Sequence, residues 1–146
     1  MKKTLIFFVY WLSATAFSGQ SLVSVEEMNA SNSAPHQLNA KSVVLKNAPL
    51  IELFTPKLSG PITSPTPIEL RFIATPPSSV KPETFKVLYG AFEVDITKRI
   101  LNLAKLSETG VYVQEASLPK GKHKLLLVVD DTYGRKGQMS VEFEIQ

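Results

Sequence analysis

Short runs of β-branched and aromatic residues, interrupted every eight to twelve positions by proline, glycine, serine or aspartate, constrain this chain more than any other feature. Eight of the ten prolines lie between Pro49 and Pro82. Proline breaks helix interiors and cannot donate to a central β-ladder, so that part of the chain is restricted to short strands, edges and turns. Inside the runs, polarity alternates with period two, the pattern of a strand with one buried face. Ile68, Leu70, Phe72 and Ala74 fall on one face, with Glu69, Arg71 and Ile73 on the other.

Further runs repeat the pattern. Ser42–Lys46 and Leu50–Phe54 are strand candidates, followed by a proline-rich loop from Thr55 to Pro67. Thr75–Pro82 reads as a turn, then Thr84–Tyr89 places Phe85, Val87 and Tyr89 on one face. Ala91–Ile96 resumes after a break at Gly90, and Gly110–Gln114 follows later. His123–Val129 is apolar on both faces, the pattern of a strand covered on two sides. Gln138–Ile145 turns Val141, Phe143 and Ile145 inward and forms a hairpin with it across the turn Asp130–Gly137. Thr97–Leu106 is the one helix-compatible stretch, with Ile100, Leu103 and Leu106 at three-residue spacing and Asp95 or Thr97 as cap, enough for one or two turns. Seven or eight strands and at most one short helix predict an all-β, two-sheet sandwich, with a small closed barrel as the other arrangement.

The N-terminus has a different composition. Met1, Lys2 and Lys3 precede an apolar run from Leu5 to Leu12 and small residues through Ser18, the pattern of a secretory signal in residues 1–18. No later stretch approaches the roughly 20 apolar residues of a membrane span. Residues 19–40 are polar and lack sustained periodicity, which predicts a flexible lead before a single domain at 41–146. The expected location is the periplasm, or alternatively the medium as a secreted protein.

The full chain carries 16 basic and 13 acidic residues. Loss of Lys2 and Lys3 with the leader leaves 14 against 13, so the basic balance is mostly a targeting feature. Such a chain lacks the concentrated positive field of a nucleic-acid binder. The absence of cysteine excludes disulfides, thiol catalysis and thiolate metal sites.

Three segments carry a family resemblance. Pro61-Ile62-Thr63-Ser64-Pro65-Thr66-Pro67-Ile68-Glu69-Leu70-Arg71-Phe72 is a long proline-rich lead into a strand. Leu118-Pro119-x-Gly121-x-His123-x-Leu125 precedes the penultimate strand, and Asp131-Thr132-Tyr133-Gly134-Arg135-x-Gly137 the last. Over about residues 49–145 the chain resembles bacterial immunoglobulin-like domains. It departs from antibody domains in lacking their disulfide and core tryptophan, since its single tryptophan, Trp11, lies in the leader. The resemblance implies an adhesive, spacer or ligand-presenting module without catalytic activity or cofactor.

The candidate contact residues are Tyr89, Tyr112 and Tyr133, which combine broad apolar area with a polar tip, together with Lys120 and Lys122. An envelope protein or glycan is the expected partner, not nucleic acid. A metal-handling alternative draws on Met28, His36 and His123 for copper, or on Asp130 and Asp131 for calcium. A small hydrolase is the remaining alternative, although the chain contains no G-x-S-x-G or H-E-x-x-H motif.

Overall fold

The computed structural model describes residues 21–35 and 45–146. Two four-stranded antiparallel sheets pack face to face. In chain order the elements are α1 (Val25–Ser33), β1 (Leu50–Thr55), β2 (Thr66–Ile73), β3 (Val80–Tyr89), β4 (Val94–Asp95), α2 (Thr97–Leu101), β5 (Ala104–Ser107), β6 (Gly110–Ala116), β7 (Gly121–Asp131) and β8 (Lys136–Ile145). The first sheet has the order β1-β2-β6-β5 and the second β4-β3-β7-β8. The expected two-sheet sandwich with a short helical crossover is therefore present.

The alternating runs turn their apolar sides into one core. Ile51, Leu70, Phe72, Val111 and Val113 from the first sheet meet Phe85, Val87, Leu127, Val129 and Val141 from the second. Phe72 and Phe85 touch across the interface at a ring separation of 5.4 Å. The space left between the sheets is an apolar cavity of about 30 Å³, with Leu70, Val87, Val113 and Leu127 among its walls. That is room for about one water, and the walls present no exposed polar surface to bind it.

β7 pairs with β3 on one side and with β8 along its whole length on the other. Its outward-facing Val128 is also buried, as the two-sided apolar pattern anticipates. The last two strands form the expected hairpin. The parallel edges of the two sheets are stitched by a bridge from Ile62 to Ile145 and by the close approach of Pro49 to Gly137.

Four local expectations change. The helix-compatible stretch gives one turn, Thr97–Leu101, and then strand β5, because Ala104 and Leu106 turn inward to pair against Val113 and Val111. β3 starts at Val80, ahead of Pro82, in a stretch the prolines suggested was a turn; its ladder to β7 is irregular between Lys81 and Lys86. Of Ala91–Ile96 only Val94–Asp95 is strand, since Glu93 adopts a left-handed backbone (φ 50°) that ends the pairing. Leu45 and Lys46 lie outside any strand, and the rest of the first strand candidate, 42–44, lies outside the described residues.

The largest departure is at the N-terminal side, where the expected flexible lead is, over residues 21–35, docked on the sandwich. Leu22 and Val23 are buried in the core. α1 begins with a reciprocal capping box: Ser24 Oγ accepts from the Glu27 N–H, and the Ser24 N–H donates to Glu27 Oε2. Only Met28 of the helix is fully buried, so the segment lacks the apolar stripe that would have signalled packing.

Glycine substitutions test the stitched edge. A Cβ at Gly137 would overlap the Pro49 carbonyl, whereas one at Gly60 meets nothing within 4 Å. Gly137→Ala is expected to lower unfolding free energy by about 2–4 kcal/mol and Gly60→Ala by less than about 0.5 kcal/mol, read from urea midpoints.

Candidate functional site

The residues singled out from the sequence are distributed over separate places. Tyr89 lies on β3 and is 2% exposed, so it is a core residue and presents nothing to a partner. Its hydroxyl bonds His123 Nδ1 at 2.9 Å, and His123 Nε2 lies 2.8 Å from the Pro119 carbonyl. A carbonyl only accepts, so Nε2 carries the proton and the Tyr89 O–H donates to Nδ1. The imidazole stacks on Phe143 at 5.4 Å. Burial pushes His123 below its ordinary pKa against the opposing bond to Pro119, and the imidazole is neutral at pH 7. Burial, reinforced by the Glu27 carboxylate, pushes Tyr89 up to about 12, so it remains a donor.

This arrangement removes His123 from the metal alternative, since both ring nitrogens are engaged and the residue is buried. Met28 is buried against Gly121. His36 lies outside the described residues. Asp131 is fully buried and committed to a turn: Oδ1 accepts from the Tyr133 and Arg135 N–H groups, each at 2.9 Å, and Oδ2 accepts from Arg135 Nε at 2.7 Å. Burial works to raise its pKa, but the donors from Arg135 and Tyr133 prevail and hold the carboxyl below its ordinary value. Arg135 also donates to Ser78 Oγ, tying the β7–β8 turn to the loop before β3. Asp130 stands between Lys81 of β3 and Lys136 of β8, with its Oδ1 buried and unpartnered among the described residues. Calcium needs six to eight oxygens, and this pair offers no converging set. Among the described residues no three acidic or histidine side chains gather as a metal centre would require.

Lys120 and Lys122 are exposed at the start of β7, and Tyr133 is exposed beyond its end. An eleven-residue strand separates them by roughly 35 Å. Lys122 stands opposite Glu144, and Lys124 pairs with Glu142 at 3.5 Å, so the basic run on β7 faces an acidic run on β8.

Tyr112 belongs to a different surface, the outer face of the first sheet. Antiparallel register places Leu50 beside Ile73 and Glu52 beside Arg71. It also places Glu69 beside Tyr112, and Tyr112 beside Lys105. Leu50, Phe54, Ile73 and Tyr112 are each 40–54% exposed on this face. The Arg71 guanidinium lies 3.6 Å from the Phe54 ring centroid and Lys57 Nζ lies 4.5 Å from it. Arg71 also pairs with Glu69 at 3.2 Å. Beyond Lys57 the face runs into an open groove of about 380 Å³, walled mainly by Pro56, Pro61, Pro65 and Pro67. Aromatic residues and Arg are the types enriched at protein contact surfaces. Arg71 and Ile73 were visible in the sequence as outward positions of an alternating strand, but that signal does not say that β1, β2 and β6 are neighbours.

No family model, curated protein or solved structure matches the chain significantly.

The His123 site sets a pH dependence. Above the ordinary histidine value of 6.5 both folded and unfolded chains hold a neutral imidazole and the full stability is present. Below it the unfolded chain takes up a proton that the folded chain resists, so stability falls with pH. The urea midpoint is expected to decline from about pH 7 to about pH 5.5 in the native chain and much less steeply in His123→Gln. An equal slope in the variant would remove His123 as the cause.

Proposed function

We propose that the chain is an exported, non-catalytic immunoglobulin-like module that contacts an envelope protein or glycan through the outer face of its first sheet. The observation that carries this reading is the grouping of Leu50, Phe54, Ile73 and Tyr112 with Arg71 and Lys57 on one sheet face. Broad aromatic area beside fixed cations favours a partner that offers both apolar and negatively polarised groups.

Two features support the finer family reading. The order β1-β2-β6-β5 against β3-β7-β8 corresponds to the ABED and CFG sheets of constant-type immunoglobulin domains, with β4 added beside the third strand. At the start of β7, His123 bonds a carbonyl four residues upstream, the place where a corner tyrosine does so in that fold. The leader-like residues 1–18 support periplasmic placement, with secretion as the alternative.

The most perturbed titratable groups support a non-catalytic role, because each is engaged in holding the fold. Glu27 is held at about 2 by hydrogen bonds from Arg99 and Ser24, while Asp131 and His123 are closed off by the partners described above. A catalytic acid or base needs a free site for the proton it moves.

The test compares the native chain with Phe54→Ala/Tyr112→Ala. Both side chains are exposed, so the thermal midpoint is expected to shift by no more than about 2–4 °C. An envelope component or immobilised glycan retained by the native chain should be lost, at least tenfold, by the variant. Equal retention by both, or none by the native chain, overturns the reading.

A further inference from the structure

A row of side chains crosses the outer face of the first sheet, at right angles to its strands. At one end Phe54 of β1 gathers two cations at its ring, Lys57 and Arg71. Glu69 of β2 stands next to Tyr112 of β6, and Lys105 of β5 ends the row. From β1 to β5 it spans three strand separations, roughly 14 Å.

The charges along the row are unevenly matched. Arg71 is taken up by Glu69, 3.2 Å away, and has Glu52 beside it on β1. Lys57 and Lys105 are exposed, and neither pairs with a carboxylate among the described residues. On the second sheet, by contrast, Lys81 and Lys124 pair with Glu83 and Glu142. The row therefore has an uncompensated cation at each end and two carboxylates towards its middle. Beyond Lys57 lies the open groove of about 380 Å³, within the size range of small-ligand sites. Ser59 and Thr63 offer hydroxyls there, and no carboxylate lines the groove among the described residues.

This pattern selects among partners. An extended peptide finds no free ladder to join. The edge of β1 is stitched to β8, and β5 is a short edge strand blunted by Lys105. A plain polyanion would satisfy the end lysines but would be repelled by Glu52 and Glu69 between them. A glycan with acid groups offers both kinds of partner: carboxylates for the lysines and hydroxyl donors for the glutamates. The apolar face of a sugar ring also packs on an exposed aromatic ring, which Tyr112 supplies.

We propose that this row binds a carboxylate-bearing glycan laid across the strands. Its acid groups pair with Lys57 and Lys105, one sugar ring packs on Tyr112, and hydroxyls donate to Glu52 and Glu69. A terminal sugar enters the proline groove. The inference rests on the contact face assigned above and narrows its partner to one glycan class.

Binding of an oligogalacturonate to the full chain tests this, beside the same oligomer with its carboxyls methyl-esterified. The acid form should bind about tenfold more tightly than the ester, and added salt should weaken only the acid form. Lys57→Gln/Lys105→Gln should weaken the acid form about tenfold, as loss of two exposed ion pairs predicts, and leave the ester within about twofold. Lys86→Gln/Lys98→Gln removes the same charge from β3 and α2 and should bind as the native chain does. All four lysines are exposed, so both variants should fold. No binding of the acid form, equal loss in the two variants, or polyglutamate bound as tightly as the oligogalacturonate overturns the inference. If an envelope component is still retained through Phe54 and Tyr112, the broader reading stands and only the acidic glycan falls. If nothing is retained, both fall.

Discussion

β7 is the strand on which the rest of the molecule depends. It is hydrogen-bonded on both sides, apolar on its inner face and at Leu126 and Val128 of its outer face, and anchored at each end by a buried polar group. At its start His123 links the Pro119 carbonyl to the Tyr89 hydroxyl, joining the β6–β7 connection to β3. At its end Asp131 gathers three donors from the β7–β8 turn, and Arg135 carries the connection on to Ser78. A chain without disulfides thus fixes its central strand with two small polar networks whose groups are satisfied within the fold. An unpartnered buried histidine or aspartate would cost more than the hydrogen bonds return, so each network must be complete to be stabilising.

The two sheets present different outer faces. On the second sheet the lysines of β7 stand opposite the glutamates of β8, which makes that surface a solvated, charge-balanced one. The first sheet carries Phe54, Tyr112, Leu50 and Ile73, with cations laid over an aromatic ring. Each cation–π contact contributes about 0.5–1 kcal/mol at an exposed site. That is enough to orient the side chains but not to require leaving them exposed. The dock for residues 21–35 is a separate surface, formed by α2, the β3–β4 turn and the start of β7.

How much was legible follows from the range of the forces involved. The inward faces of β2, β3 and β8 and the two-sided burial of β7 could be read because period-two alternation is local and has one physical cause, burial of one side. β5 could not, because Ile100, Leu103 and Leu106 offer helical spacing, and only pairing with β6 turns Ala104 and Leu106 inward as a strand. The docked segment was hidden because its hold rests on one ion pair, two glycine hollows and backbone carbonyls far along the chain, not on an apolar stripe of its own. Tyr89 illustrates the same limit: the inward face of its strand was readable, but not its bond to His123.

By itself the sequence determined the class of the fold: an all-β sandwich, punctuated by proline, free of cysteine, with the faces of four of its strands already assigned. These follow from residue chemistry and from a periodicity that acts over a few positions. The tertiary structure decided which strands are neighbours. It thereby decided that Phe54, Arg71 and Tyr112 share a surface, that Tyr133 and Lys120 do not, and that Arg99 meets Glu27. Those outcomes depend on contacts between residues far apart in the chain, and local patterning carries no information about which distant partner closes each one.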